Sequence, residues 1–170
     1  MKEKLFFLGL NEFNPKLLFE MSKLLPKDNF LSKICEFQKL TLPIQDKYDS
    51  GFLEPWSQWI SVHTGKPTSK HKIKNLGDVP DLKHKQIWEL LSKNDQSSII
   101  WGSMNASLGE AKNCKLFVPD PWVFTEEPYP KSLSSFILLP RYLAKNYTSI
   151  SKIKVFKLFC IFIIQSFKHV

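Results

Sequence analysis

A short apolar run, Leu5–Leu10, stops at the polar pair Asn11-Glu12, and Asn14-Pro15 follows almost at once. An apolar stretch without alternation reads as a strand buried on both faces. Asn14 suits a helix N-cap and Pro15 the first helical position, and Leu17, Leu18, Met21 and Leu24-Leu25 recur behind them at helical spacing. Strand, tight turn and helix form the opening unit of an α/β domain, so the expected fold is a mainly parallel sheet flanked by helices. At 170 residues one domain is expected. The chain is 43% hydrophobic with 14 Phe and 5 Trp, which supplies a core and excludes wholesale disorder.

Further along, the pattern predicts a helix over Leu31–Phe37 and a strand over Leu40–Ile44. Glu54-Pro55 opens another helix with Trp56, Trp59, Ile60 and His63 on one face, and Gly65 is placed to end it. Residues 66–82 are polar, carry Pro67, Gly77 and Pro80, and read as an excursion loop. His84–Lys93 is amphipathic through Ile87, Leu90 and Leu91. Strands are expected over Ser97–Trp101, ending at Gly102, and over Leu116–Val118, stopped by Pro119-Asp120-Pro121. From Lys131 the pattern is helical, with a further segment from Ser149. Its Leu158–Ile164 stretch is continuously apolar but far short of the ~20 residues that span a bilayer. A buried helix or strand is the first expectation there, and a surface-lying basic amphipathic helix the second. The domain expectation is therefore an α/β portion over 1–130 and a basic, apolar helical tail over 131–170.

The net charge is +8, and no Asp or Glu follows Glu127. The excess cations therefore sit in the last quarter of the chain. No aromatic-and-glycine RNA-binding signature accompanies them, so nucleic acid is not an expected partner, whereas contact of the tail with a membrane surface or another protein is. Cys35, Cys114 and Cys160 are widely spaced and odd in number, which favours reduced thiols and a cytoplasmic setting. The N-terminal apolar run is shorter than a signal-peptide core and lacks a small-residue cleavage site. Zincin, Ser–His–Asp and phosphate-loop signatures are absent.

Two segments carry a resemblance. One is Phe7-Leu-Gly-Leu-Asn-Glu-Phe-Asn-Pro15. The other is Glu54-Pro-Trp-Ser-Gln-Trp-Ile-Ser-Val-His-Thr-Gly65, followed by Lys66-Pro-Thr-Ser-Lys-His-Lys-Ile73. Together they resemble the alkaline phosphatase superfamily, in its type I phosphodiesterase or nucleotide pyrophosphatase branch. There the first strand ends in Gly-Leu-Asp-Gly, and a tryptophan-flanked helix leads to Thr-Gly and then His-Gly-Ile. The resemblance implies an α/β sandwich, a two-metal site, and a Thr or Ser nucleophile at the helix N-terminus, where backbone N–H groups and metals stabilise phosphoryl charge. It places residues 5–10 in the central parallel sheet and the 55–65 stretch beside that strand's C-terminal end.

The matched positions depart from the pattern. Asn11 stands where the family has a metal-binding Asp, and Pro55 stands where the nucleophile belongs; proline has neither hydroxyl nor N–H. Glu54 can bind a metal or favour the helix N-terminus through its charge. Ser57, two residues past Pro55, points to another side of the helix and is a weak substitute nucleophile. His71 is kept without the glycine of the family motif. Ser103 and Asn105, after the Ile99–Trp101 strand, can hydrogen-bond a substrate at a strand end or satisfy local backbone groups. The expected site residues are His71, Ser103 and Asn105 for substrate and Asn11 and Glu54 for metal, with a divalent ion such as zinc bound only if the site is completed elsewhere. The leading functional expectation is a truncated or divergent alkaline-phosphatase-like protein without stand-alone hydrolase activity. The alternatives are a metal-dependent phosphodiester or sulfate-ester hydrolase with a rearranged or shared site, and a non-enzymatic binding protein. Uncovered apolar surface would favour self-association or a complementing chain.

Overall fold

A computed structural model describes residues 4–10, 13–36 and 54–168. The chain divides into two compact units, Met1–Gln45 and Asp46–Val170.

In the first unit Asn14 and Pro15 act as their chemistry dictates. Helix α1 spans Pro15–Ser22, and the Asn14 side chain accepts hydrogen bonds from the N–H groups of Lys16 and Leu17 at 3.0 and 3.1 Å. Helix α2, Phe30–Glu36, packs against it, and the Ser32 hydroxyl donates to the Pro26 carbonyl at 3.1 Å. The strand expected over Leu5–Leu10 is not formed: the segment is irregular, and Leu5 and Phe6 are 86% and 85% exposed. An apolar run becomes a strand only when a neighbour completes its ladder of N–H and C=O groups. The described part of this unit offers only helices. Asn11, Phe37 and the strand expected over Leu40–Ile44 lie outside the described residues.

The second unit is α/β. Helix α3 spans Pro55–Thr64 and ends at Gly65, whose φ of 64° is the left-handed geometry that terminates helices. Its Ile60 packs with Ile73, Val79 and Val123 in one apolar cluster. The 66–82 stretch is therefore not an excursion. It holds the short helix α4, Thr68–His71, and a 3₁₀ turn, Val79–Asp81, and buries His71, Ile73 and Val79. Its Ile73 and Val79 pack with Ile60, and burying them outweighs the polar composition around them.

Helix α5 spans Ile87–Lys93 and buries Trp88, Glu89 and Ser92 rather than the predicted stripe; Ile87 and Leu90 are exposed. Polar anchors fix that orientation. The Trp88 indole donates to the Ser107 carbonyl at 2.7 Å, and the Ser92 hydroxyl accepts from the Asn113 N–H at 2.8 Å. The Glu89 carboxylate accepts from the N–H groups of Gln86 and Glu110 at 2.8 and 3.1 Å.

Strands β1, Ser98–Trp101, and β2, Cys114–Val118, pair in parallel, with Ile100 opposite Phe117 and Trp101 opposite Val118. One face carries Ile100 and Phe117 into a core with Trp88, Ala106, Ala111 and Cys114, while Ile99 and Trp101 lie on the exposed face. Helix α6, Ser134–Lys145, continues the fold through Leu133 and Ile137 against Val118. Arg141 ties it down by donating to the Val123 carbonyl at 3.0 Å, to the Glu126 carbonyl, and to the Glu127 carboxylate at 3.1 Å. Helix α7, Lys152–Lys168, packs on α6 with the Phe136 and Phe162 rings edge to face at 5.4 Å. The helices after residue 130 thus belong to the second unit. The Leu158–Ile164 run is helical as expected but not buried, since Phe159, Ile161, Ile163 and Ile164 are exposed. No helix among the described residues is long and apolar enough to cross a membrane.

Candidate functional site

Helix α3 carries the motif that raised the question of chemistry. Glu54 precedes it with extended backbone, its carbonyl accepting the N–H groups of Ser57 and Gln58 at 3.1 and 3.2 Å, but its side chain makes no cap. Pro55 then occupies the first helical position, so the site of the expected nucleophile presents a hydrocarbon ring. Ser57 is buried and its hydroxyl lies 3.2 Å from that of Thr68. It faces α4, which agrees with its expected rotation away from the Pro55 position.

About two turns on, His63 and Ser103 meet: the imidazole Nε2 lies 3.0 Å from the Ser103 hydroxyl. This hydroxyl–imidazole pair, formed from residues 40 positions apart, was not legible as a motif. Its environment argues against nucleophile activation. An activating base is oriented by a third group on its other nitrogen, whereas His63 Nδ1 is buried without a hydrogen-bond partner. The ring sits between Trp59, at 5.9 Å, and Trp88, at 5.0 Å between centroids. Burial pushes its pKa down to about 4, leaving a neutral, weakly basic imidazole. The sequence signal was the placement of His63 on the same helical face as Ile60, which marks a core-facing side chain.

The other expected substrate contacts are spent internally. His71 is buried; its Nδ1 accepts the Ile73 N–H at 3.1 Å, so Nε2 carries the proton and donates to the Ser61 hydroxyl at 3.0 Å. Burial, and then the nearby His84, hold its pKa below the ordinary value.

Asn105 is fully buried with a left-handed φ of 51°. Its Oδ1 accepts the Gly77 N–H at 2.8 Å, while Nδ2 donates to the carbonyls of Trp56 and Asn75 at 3.2 and 3.1 Å. The Gln86 amide donates to the Asn105 carbonyl at 2.9 Å and accepts the Ser107 N–H at 2.8 Å. Asn105 therefore ties the first turn of α3 to the 75–77 loop and to the start of α5. Gln86, wholly buried, is the partner that sequence patterning missed, because an isolated glutamine ahead of a helix carries no periodic signal.

Asp120, held between two prolines, is also buried; it accepts the Trp122 N–H at 2.9 Å, and burial raises its pKa against that bond. Among the described residues no three His, Cys, Asp or Glu side chains converge as metal ligands. Glu54 belongs to no such group among the described residues, and Asn11 lies outside them. Comparison with known protein families, with curated proteins and with solved structures returned no match to this chain.

Proposed function

We propose that this chain is a divergent or truncated alkaline-phosphatase-like module that does not hydrolyse esters on its own and contributes by contact rather than bond cleavage. The observation that carries the proposal is Pro55 at the first position of α3, where the resemblance calls for a hydroxyl. Three further features support it. Ser57 is turned to Thr68, His63 is neutral and lacks an orienting acid, and Asn105 and His71 use their polar atoms to hold the scaffold. The first-strand part of the resemblance is not formed over residues 5–10, so the kinship rests on the Trp56–Ile73 segment and the parallel strand pair.

The test is turnover of bis(4-nitrophenyl) phosphate and 4-nitrophenyl sulfate by the purified chain, with zinc or manganese added. The expected rate equals that of metal and buffer alone. Saturable, metal-dependent turnover would overturn the proposal, and its loss in Ser57→Ala would identify the substitute nucleophile.

A further inference from the structure

We propose that α7 lies in the plane of an anionic lipid surface. The packing of α7 leaves one side open. Its α6-facing side carries Phe162 against Phe136, and Lys154 Nζ sits 4.7 Å from the Tyr142 ring centroid. At 100° per residue, Ile153, Phe156, Phe159, Ile163, Ile164 and Phe167 fall within one arc on the other side, and all six are exposed, Ile153 to 72% and Phe167 to 81%. Lys152, at the helix start, and the half-buried Cys160 are the other side chains of the described helix within that arc. Such a stripe needs an occupant that takes up apolar groups along about 21 Å of helix without returning hydrogen bonds, which the headgroup–acyl boundary of a bilayer does.

Charge selects among occupants. Lys152 and Lys157 are exposed at the start and flank of the stripe, Lys145 is exposed on α6, and no acidic residue follows Glu127. A second copy of the chain would bring these same cations together across the interface. An anionic bilayer supplies the opposite charge over its whole plane, attracts lysines near its surface, and lets their stems extend toward the headgroups. Because no described helix is long and apolar enough to cross, the contact is in-plane rather than spanning. This inference does not depend on the absence of hydrolase activity: vesicle binding and ester turnover are separate measurements.

The experiment is flotation of the full chain with vesicles of phosphatidylcholine alone or with 30% phosphatidylglycerol, at 100 and 500 mM sodium chloride. Binding to the anionic vesicles is expected to exceed binding to neutral ones at least tenfold and to weaken severalfold at high salt. Phe156→Ser combined with Ile163→Ser should abolish binding while leaving the melting temperature near that of the parent, since both side chains are exposed. Lys152→Gln with Lys157→Gln should remove much of the preference for anionic lipid. Absence of binding to anionic vesicles would overturn the proposal. So would binding that survives the Phe156/Ile163 double change, or a salt-independent dimer, seen by sedimentation velocity, that the double change dissolves while vesicle binding is absent.

Discussion

Replacing Asn105 with alanine tests the organisation of the second unit most directly. The change removes three hydrogen bonds, from Gly77 N–H and to the Trp56 and Asn75 carbonyls, at a position with no solvent exposure. At about 1 kcal/mol each, they amount to about 3 kcal/mol. The backbone at Asn105 has φ of 51°, and moving a β-carbon residue other than Asn or Asp into that region adds about 1 kcal/mol. The expected loss is therefore about 4 kcal/mol. For a domain of this size, at roughly 3 °C per kcal/mol, the melting temperature should fall by about 12 °C. Circular dichroism melts of Asn105→Ala and Asn105→Gly separate the two parts, because glycine restores the backbone freedom but not the bonds. Glycine should recover about 3 °C of the loss. Asn105→Asp keeps an acceptor for Gly77 but turns a carboxylate toward two carbonyl oxygens, and should be at least as damaging at neutral pH. An alanine variant melting within about 2 °C of the parent would refute the view that this side chain joins α3 to the 75–77 loop.

Further outcomes concern His63 and two glycines of left-handed backbone. His63 has a folded pKa of about 4 against an ordinary 6.5, so between these values the unfolded chain binds more protons. Its contribution, about 3 kcal/mol, is complete above pH 6.5 and is lost as pH falls toward 4. His71, shifted the same way, steepens that loss, and urea melts across pH 4–7 should show a shallower fall in His63→Leu. Gly109→Ala should cost about 2–3 kcal/mol, because a β-carbon there would lie 2.5 Å from Glu89 Oε1 at a φ of 50°, and the carboxylate is held by two N–H groups. Gly65→Ala meets no atom within 4 Å and should cost only about 1 kcal/mol from its φ of 64°, a contrast readable from paired urea titrations.

Local chemistry was legible wherever a short segment settled its own hydrogen bonds. Asn14-Pro15 started a helix and Gly65 ended one, while Ile99–Trp101 and Leu116–Val118 carried a strand pattern that their mutual pairing completed. Pro55 excluded a hydroxyl at the start of α3 from its covalent structure alone. What an apolar residue faces was not legible, because burial depends on a partner that may come from any part of the chain. Leu5–Leu10 reads as a buried strand but has no ladder partner among the described residues, and Leu158–Ile164 reads as core but packs on α6 with Phe159, Ile161, Ile163 and Ile164 exposed. The candidate site divides on the same line. Ser103 and Asn105 stood out by residue type, but their partners, His63, Trp56 and Gly77, come from 28 to 49 positions away. Spacing along a chain cannot encode such meetings; the approach of α3 and the 75–77 loop to the segment after β1 decides them, and it turns residues suited to a substrate into struts of the scaffold.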